Sequence, residues 1–393
     1  MKQIRTRMVA RDVTEEHRAS SPLELLFDLT FVVAIASLVA QLAHSIETGE
    51  VATAIAPFFM VFFAIWWAWN QFTWLASAYD TDDVLYRVFT LVQMFGVLVL
   101  AAGVPSAFKG SDFTAITLGY AIMRIGLLAT VLRAMKEDRE SRPTSKRYLI
   151  GISVVQVFWL LRLLLVPTMF VVPVFLLLAI AELLVPAWAD RARGLAWHPH
   201  HIAERYGLFT IILLGESVAA ATTAVQESLA DGITSPLVIV AVAGLALLFT
   251  LWWLYFSEPA GDGLVEHRER SYIWGYGHYL IYASLAAIGA ALEVAVQAVT
   301  HDIEASGMLV GYALAIPVAV FLVLLWLLHA PLVERVVIHP AATVSAVVLV
   351  MLAPLTAGAI GVVGVTVTIA VVCIALLSVT ITRWAVLRET AKV

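Results

Sequence analysis

The sequence has little to offer most functional classes. A single cysteine, Cys373, occurs in 393 residues, so no disulfide can form within the chain and a cysteine-rich metal site is excluded. Charge is scarce: 13% of residues are Asp, Glu, Lys or Arg against 61% hydrophobic, a balance a water-soluble domain could carry only with large exposed apolar patches. The net charge is only −5, and no basic block is interleaved with aromatic residues, which argues against nucleic acid as a partner. No phosphate-cradling glycine loop, nucleophile elbow or zinc-protease motif occurs, which disfavours ATP-driven transport and ordinary hydrolase chemistry, and nothing calls for a cofactor. Nor is the opening expected to be a cleavable leader. Residues 1–20 are polar, carry Lys2, Arg5, Arg7, Arg11 and Arg18, and enter a full-length apolar run directly, so they read as a retained cytoplasmic tail.

What is present is a succession of apolar runs near 20 residues, each able to cross the roughly 30 Å of bilayer hydrocarbon as a helix. The expected fold is an all-α polytopic membrane protein of about twelve transmembrane helices, with the lipid bilayer as solvent. The runs fall near 23–44, 52–78, 86–107, 113–133, 147–166, 169–189, 203–226, 236–256, 273–298, 308–329, 341–360 and 362–384. Assigning alternate connections to opposite sides puts nearly all Lys and Arg on one side. Lys109 alone falls on the other, while Arg124 and Arg162 stay inside apolar runs. The positive-inside rule then places both termini in the cytoplasm. The longest cytoplasmic connection, Arg133 to Arg147, carries a charge run that anchors it inside.

Two halves of the sequence echo one another. Glu24, Thr30 and Ser37 align without gaps with Glu204, Thr210 and Ser217; Trp66-Trp67 matches Trp252-Trp253; Gly119-Tyr120-Ala121 matches Gly311-Tyr312-Ala313. The implied organisation is the tail 1–20 followed by two six-helix repeats, 21–190 and 191–393. An even number of helices per repeat gives both the same orientation, related by an axis along the membrane normal.

Charged groups deep in hydrocarbon cost at least about 2.5–3.5 kcal/mol on insertion scales, so each needs a partner, water or a function. Glu24 and Asp28 lie four residues apart, about 40° around a helix, and share one face. They read either as a proton-carrying pair or as acids complementing the helix N-terminus behind Ser20, Ser21 and Pro22. Glu216 falls near the centre of its run, as does Arg124, and an arginine cannot escape by losing its proton. The expectation is that Arg124 pairs with Glu216 or another buried acid across the seam of the repeats, with Gly215 and Ser217 permitting close helix approach. Glu182, Glu293 and His278, with Asn70 and Gln71, add polar groups at membrane depth. His278 suits either hydrogen-bonded packing or proton relay. His198, His200, His201 and Glu204 form a weak metal-ligand pattern interrupted by Pro199, with helix capping as the plainer reading. Trp66, Trp67, Trp69, Trp74, Trp252 and Trp253 read as interface anchors or packing.

Three segments, SPLELLFDLTFVVAIASLVAQLAHSI, AIWWAWNQFTWLASAYDTDD and HHIAERYGLFTIILLGESVAAAT, resemble the bacterial low temperature requirement A family. The resemblance runs from about residue 20 to 385. It marks Glu24, Phe27, Asp28, His201, Glu204, Arg205, Gly215 and Glu216 as characteristic positions, and implies a membrane protein connected with growth in the cold, with no particular reaction or substrate. The residues point first to a proton- or ion-coupled secondary transporter of a small solute, with Glu24, Asp28, Arg124, Glu182, Glu204, Glu216, Ser217 and His278 on its pathway. A proton or ion channel is the alternative, and a membrane-embedded enzyme or lipid-handling protein using the His198 to Glu204 segment is a third. A homodimer stays open, since no isolated small-xxx-small motif marks an interface.

Overall fold

The structure is a computed structural model that describes residues 4–11, 19–229, 232–258, 260–332 and 336–390. Lys2 and Arg18 of the tail lie outside the described residues. Every regular element among the described residues is helical: α1 (Pro22–Glu47), α2 (Val51–Ala78), α3 (Val84–Gly110), α4 (Thr114–Glu137), α5 (Arg142–Leu165), α6 (Val171–Asp190), α7 (Pro199–Ser228), α8 (Ser235–Tyr255), α9 (Ala260–Glu266), α10 (Ser271–Gln297), α11 (Gly307–His329), α12 (Pro340–Leu352) and α13 (Ala357–Thr390). Local chemistry sets the boundaries. Ser21 and Glu24 form a reciprocal capping box, in which the Ser21 amide donates to Glu24 Oε2 at 2.7 Å and the Glu24 amide to Ser21 Oγ at 3.3 Å. Asp83, Thr234 and Ser306 cap α3, α8 and α11 by accepting from the amide three residues on.

Among the described residues eleven helical stretches are long and apolar enough to cross a bilayer. Helices α1 to α8, α10 and α11 coincide with the expected runs to within a few residues. The eleventh, Pro340–Leu387, is 48 residues long, about 70 Å if straight and more than twice the hydrocarbon thickness. A 3-10 turn at Ala353–Thr356 and Gly361, at φ 66°, interrupt it. Gly361 holds a left-handed conformation that other residues avoid, and it stands between the two runs expected at 341–360 and 362–384. Each side of it is long enough for one crossing. The expected long connection from Arg133 to Arg147 shrinks in the structure. Helix α4 continues to Glu137 and α5 begins at Arg142, because charged residues at a helix end can reach water without breaking the helix.

The chain divides into two compact units, Met1–Leu38 with Ile55–Arg205, and Val39–Ala54 with Tyr206–Val393. In the first, α3 and α4 meet backbone to backbone. A Cβ added at Gly96 would lie 2.6 Å from the Gly119 oxygen, one at Gly119 2.4 Å from the Leu100 nitrogen, and one at Gly126 2.4 Å from the Phe89 oxygen. Gly96 and Gly103 are seven residues apart on α3, as Gly119 and Gly126 are on α4, so each pair lines one face of its helix. In the second unit α10 packs on α11 and α8 on α13. Polarity runs from inside to outside in the order hydrocarbon demands. Ile125, Leu164, Leu165, Met169, Leu177 and Val242 face outward, whereas Glu24, Asp28, Arg124, Glu182 and Arg205 are buried.

Candidate functional site

The first unit holds two buried polar clusters. In one, α1 presents Glu24 and Asp28, four residues apart, to His201 and Arg205, four apart on α7, so two helical faces of matching spacing meet. Arg205 grips Asp28 with two hydrogen bonds, Nε to Oδ2 at 2.9 Å and Nη2 to Oδ1 at 2.6 Å. Its Nη1 stands 3.0 Å from Glu24 Oε1, and His201 Nε2 stands 3.2 Å from the same oxygen. Those two approaches are ion-pair contacts without good hydrogen-bond angles, whereas the grip on Asp28 is aligned. From α2, Trp69 Nε1 donates to Asp28 Oδ1 at 2.7 Å, and Thr73 Oγ1 accepts from Arg205 at 3.4 Å. Glu24, His201 and Arg205 are fully buried. Two carboxylates facing one guanidinium leave one negative charge. A proton, on His201 or on a carboxyl, would make the cluster neutral.

The second cluster surrounds Glu182 of α6. This carboxylate accepts from Trp67 Nε1 at 2.9 Å, Gln71 Nε2 at 3.3 Å, the Tyr120 hydroxyl at 3.1 Å and Trp159 Nε1 at 3.2 Å, and stands 3.4 Å from Arg124 Nη2. Arg124 also donates to the side chains of Gln71 and Tyr120. Every group around Glu182 is a donor, and an ionised carboxylate only accepts, so the pair is a matched, neutral arrangement. The acid that answers Arg124 is therefore Glu182, in the same half of the sequence, and not Glu216. Glu182 wins because it stands within the α2, α4, α5 and α6 packing that also supplies four neutral donors.

The remaining candidates are dispersed. Glu204 is exposed and accepts from the Ser20 amide at 3.3 Å. Glu216 is half-buried and, with Glu227 and Glu47, acts electrostatically on Glu293 in the second unit. Ser217 does sit at a close helix approach, since a Cβ on Gly289 would lie 2.7 Å from its Oγ. Gly215 does not: a Cβ there meets nothing within 4 Å. His278 is a satisfied core histidine. Its Nδ1 faces the Trp274 carbonyl at 2.7 Å and must donate, which leaves Nε2 to accept from the Tyr255 hydroxyl at 3.1 Å. His198 caps α7 by accepting the His201 amide at 3.3 Å, and His200 is exposed. With His201 turned to Glu24, the four weak ligand candidates do not converge, and no group of three His, Cys, Asp or Glu suited to a metal occurs among the described residues.

The tail is docked. Met8 is fully buried, the Met8 amide donates to Glu137 Oε2 at 2.7 Å, and the Thr6 amide donates to Asp83 Oδ2 at 2.9 Å. Arg133 closes this corner with two bonds to Asp83 at 2.8 and 2.6 Å. Burial raises the Asp83 carboxyl, but hydrogen bonds from Arg133 and from the Thr6 and Tyr86 amides outweigh it and hold the group down at about 2.

The charge census counted Arg205 among the connections, and only the family resemblance marked it; Gln71 stood out as a polar group at membrane depth, but Trp67, Trp69, Tyr120 and Trp159 were not read as donors to buried acids. The available signal was the repeated four-residue spacing, acids at 24 and 28 and bases at 201 and 205. Over residues 19–380 the sequence matches the model of the family described as bacterial low temperature requirement A protein. The chain belongs to that family. It is also similar to an uncharacterized protein of Rhizobium meliloti (strain 1021), 27% identical over 296 residues that cover 71% of this chain and 70% of the relative. Membership in the low temperature requirement A family fixes a multi-pass membrane protein of a bacterial family. It leaves the chemistry to be argued from the two clusters.

Proposed function

We propose that the chain is a proton- or ion-coupled secondary transporter of a small solute in the bacterial inner membrane, with both termini cytoplasmic. The observation that carries this reading is the α1 and α7 cluster: Glu24 and Asp28 share Arg205, with His201 beside Glu24. In a water-excluded setting an unbalanced charge is expensive, so the loss of a proton from this cluster favours either a substitute cation or a rearrangement of α1 against α7. That is the coupling a secondary transporter needs. The charge census puts the starts of α1 and α7 on the cytoplasmic side, which makes the cluster an inner gate, while Arg124 and Glu182 stand near the middles of α4 and α6. The two six-helix repeats, 21–190 and 191–393, would supply the moving halves.

The test is reconstitution in liposomes, following internal pH and a panel of solutes under imposed proton, sodium and potassium gradients. Flux that saturates with solute and moves protons with it supports the reading, and Asp28→Asn should uncouple the two. Flux that rises linearly with the gradient and needs no solute would indicate a channel. No flux above empty vesicles under any gradient would remove both.

A further inference from the structure

Arg162, in the last turn of α5, is 6% exposed, yet no acid pairs with it among the described residues and its Nε lacks any hydrogen-bond partner. Its guanidinium carbon stands 5.3 Å from the ring centre of Phe113 and 5.7 Å from those of Trp159 and Phe175. Cation–π contacts of this kind are weak and fall short of replacing the hydration of a guanidinium. The other arginines of this unit's interior are answered. Arg124 faces Glu182 and Arg205 faces Glu24 and Asp28. Arg162 also lines a small pocket with Phe113, Thr117, Tyr120, Trp159 and Phe175. The pocket has about 20 Å³ of room, enough for one water-sized group. Thr117 also lines the wall, and Tyr120 and Trp159 donate their polar hydrogens to Glu182.

We propose that this pocket is a binding site for a small monovalent anion of the halide class, held by Arg162 and the Thr117 hydroxyl. The small volume favours a monatomic anion over phosphate, sulfate and organic carboxylates. The apolar ring walls favour a weakly hydrated ion over a strongly hydrated one, and one negative charge neutralises Arg162 where no side chain does. The Arg124 and Glu182 pair behind Tyr120 and Trp159 is already neutral and does not compete. The site is independent of whether the chain transports anything.

The experiment uses the full chain purified in detergent. Thermal unfolding is compared in chloride, bromide and gluconate at equal ionic strength, for wild type and for Arg162→Gln, and again after adding phosphatidylglycerol. Wild type should show a saturable rise in unfolding temperature with chloride and bromide over gluconate, and the variant should lose it. Crystals grown in bromide should show an anomalous peak within hydrogen-bonding reach of the guanidinium, which decides the matter on unaltered protein if Arg162→Gln fails to fold. An equal halide response in the variant, no bromide peak, or stabilisation by phosphatidylglycerol alone would each overturn the proposal.

Discussion

Replacing Arg205 with Gln should expose what holds the α1 and α7 cluster together. The substitution removes both aligned bonds to Asp28 and the 3.0 Å contact to Glu24, and it strands two carboxylates that are at most 1% exposed. Breaking a buried ion pair from one side costs about 3–5 kcal/mol. The stranded acids can escape by protonation, which becomes easier by about 1.4 kcal/mol per pH unit for each group. The gap between wild type and Arg205→Gln should therefore be about 3–5 kcal/mol at pH 7.5 and narrow by about 3 kcal/mol at pH 5.5 as one carboxyl takes up a proton. The double variant Asp28→Asn/Arg205→Gln, with one acid fewer to strand, should be more stable than Arg205→Gln alone at pH 7.5. Equilibrium unfolding in mixed micelles with increasing dodecyl sulfate measures all three. A loss under about 1 kcal/mol that does not change with pH would show that the cluster is hydrated, and the charge argument for coupling would fail with it.

Three further outcomes are expected. Glu182→Gln puts an NH2 group among donors only, so it should destabilise by about 3 kcal/mol or more in the same micelle assay, whereas Glu216→Gln, at a half-buried position with no ion pair among the described residues, should stay within about 0.5 kcal/mol. Gly119→Ala forces a Cβ to 2.4 Å from backbone and should cost about 1–3 kcal/mol, while Gly215→Ala meets nothing and should gain about 0.5–1 kcal/mol from helix propensity, measured by thermal unfolding. The folded Asp83 carboxyl lies below its ordinary 3.8, so its contribution is fully present above about pH 4 and disappears as pH falls through about 2. The stability difference between wild type and Asp83→Asn should shrink over that interval, and a difference that is flat from pH 5 to 2 would contradict the Arg133 pairing.

The sequence by itself determined the solvent and the spans. Apolar runs of a length matched to hydrocarbon place helices α1 to α8, α10 and α11 within a few residues, and Gly361 marks the break in the last stretch because a left-handed backbone excludes other residues. It also singled out Glu24, Asp28, Arg124 and Glu182, since an ionisable group in an apolar run is conspicuous whatever its partner. Partners were another matter. A run of hydropathy states that Arg124 is buried but carries no information on which acid stands opposite, and Glu182 and Glu216 look alike until α2, α4, α5 and α6 pack. Arg205 looked like a loop charge because it lies close to the start of α7, yet the meeting of two four-residue spacings buries it completely. Gly215 and Gly119 are both glycines in apolar helices, and only packing decided that one touches nothing while the other admits a backbone at contact distance. Burial follows from the medium and can be read along one dimension; pairing depends on which helical faces meet, and that is settled only in three.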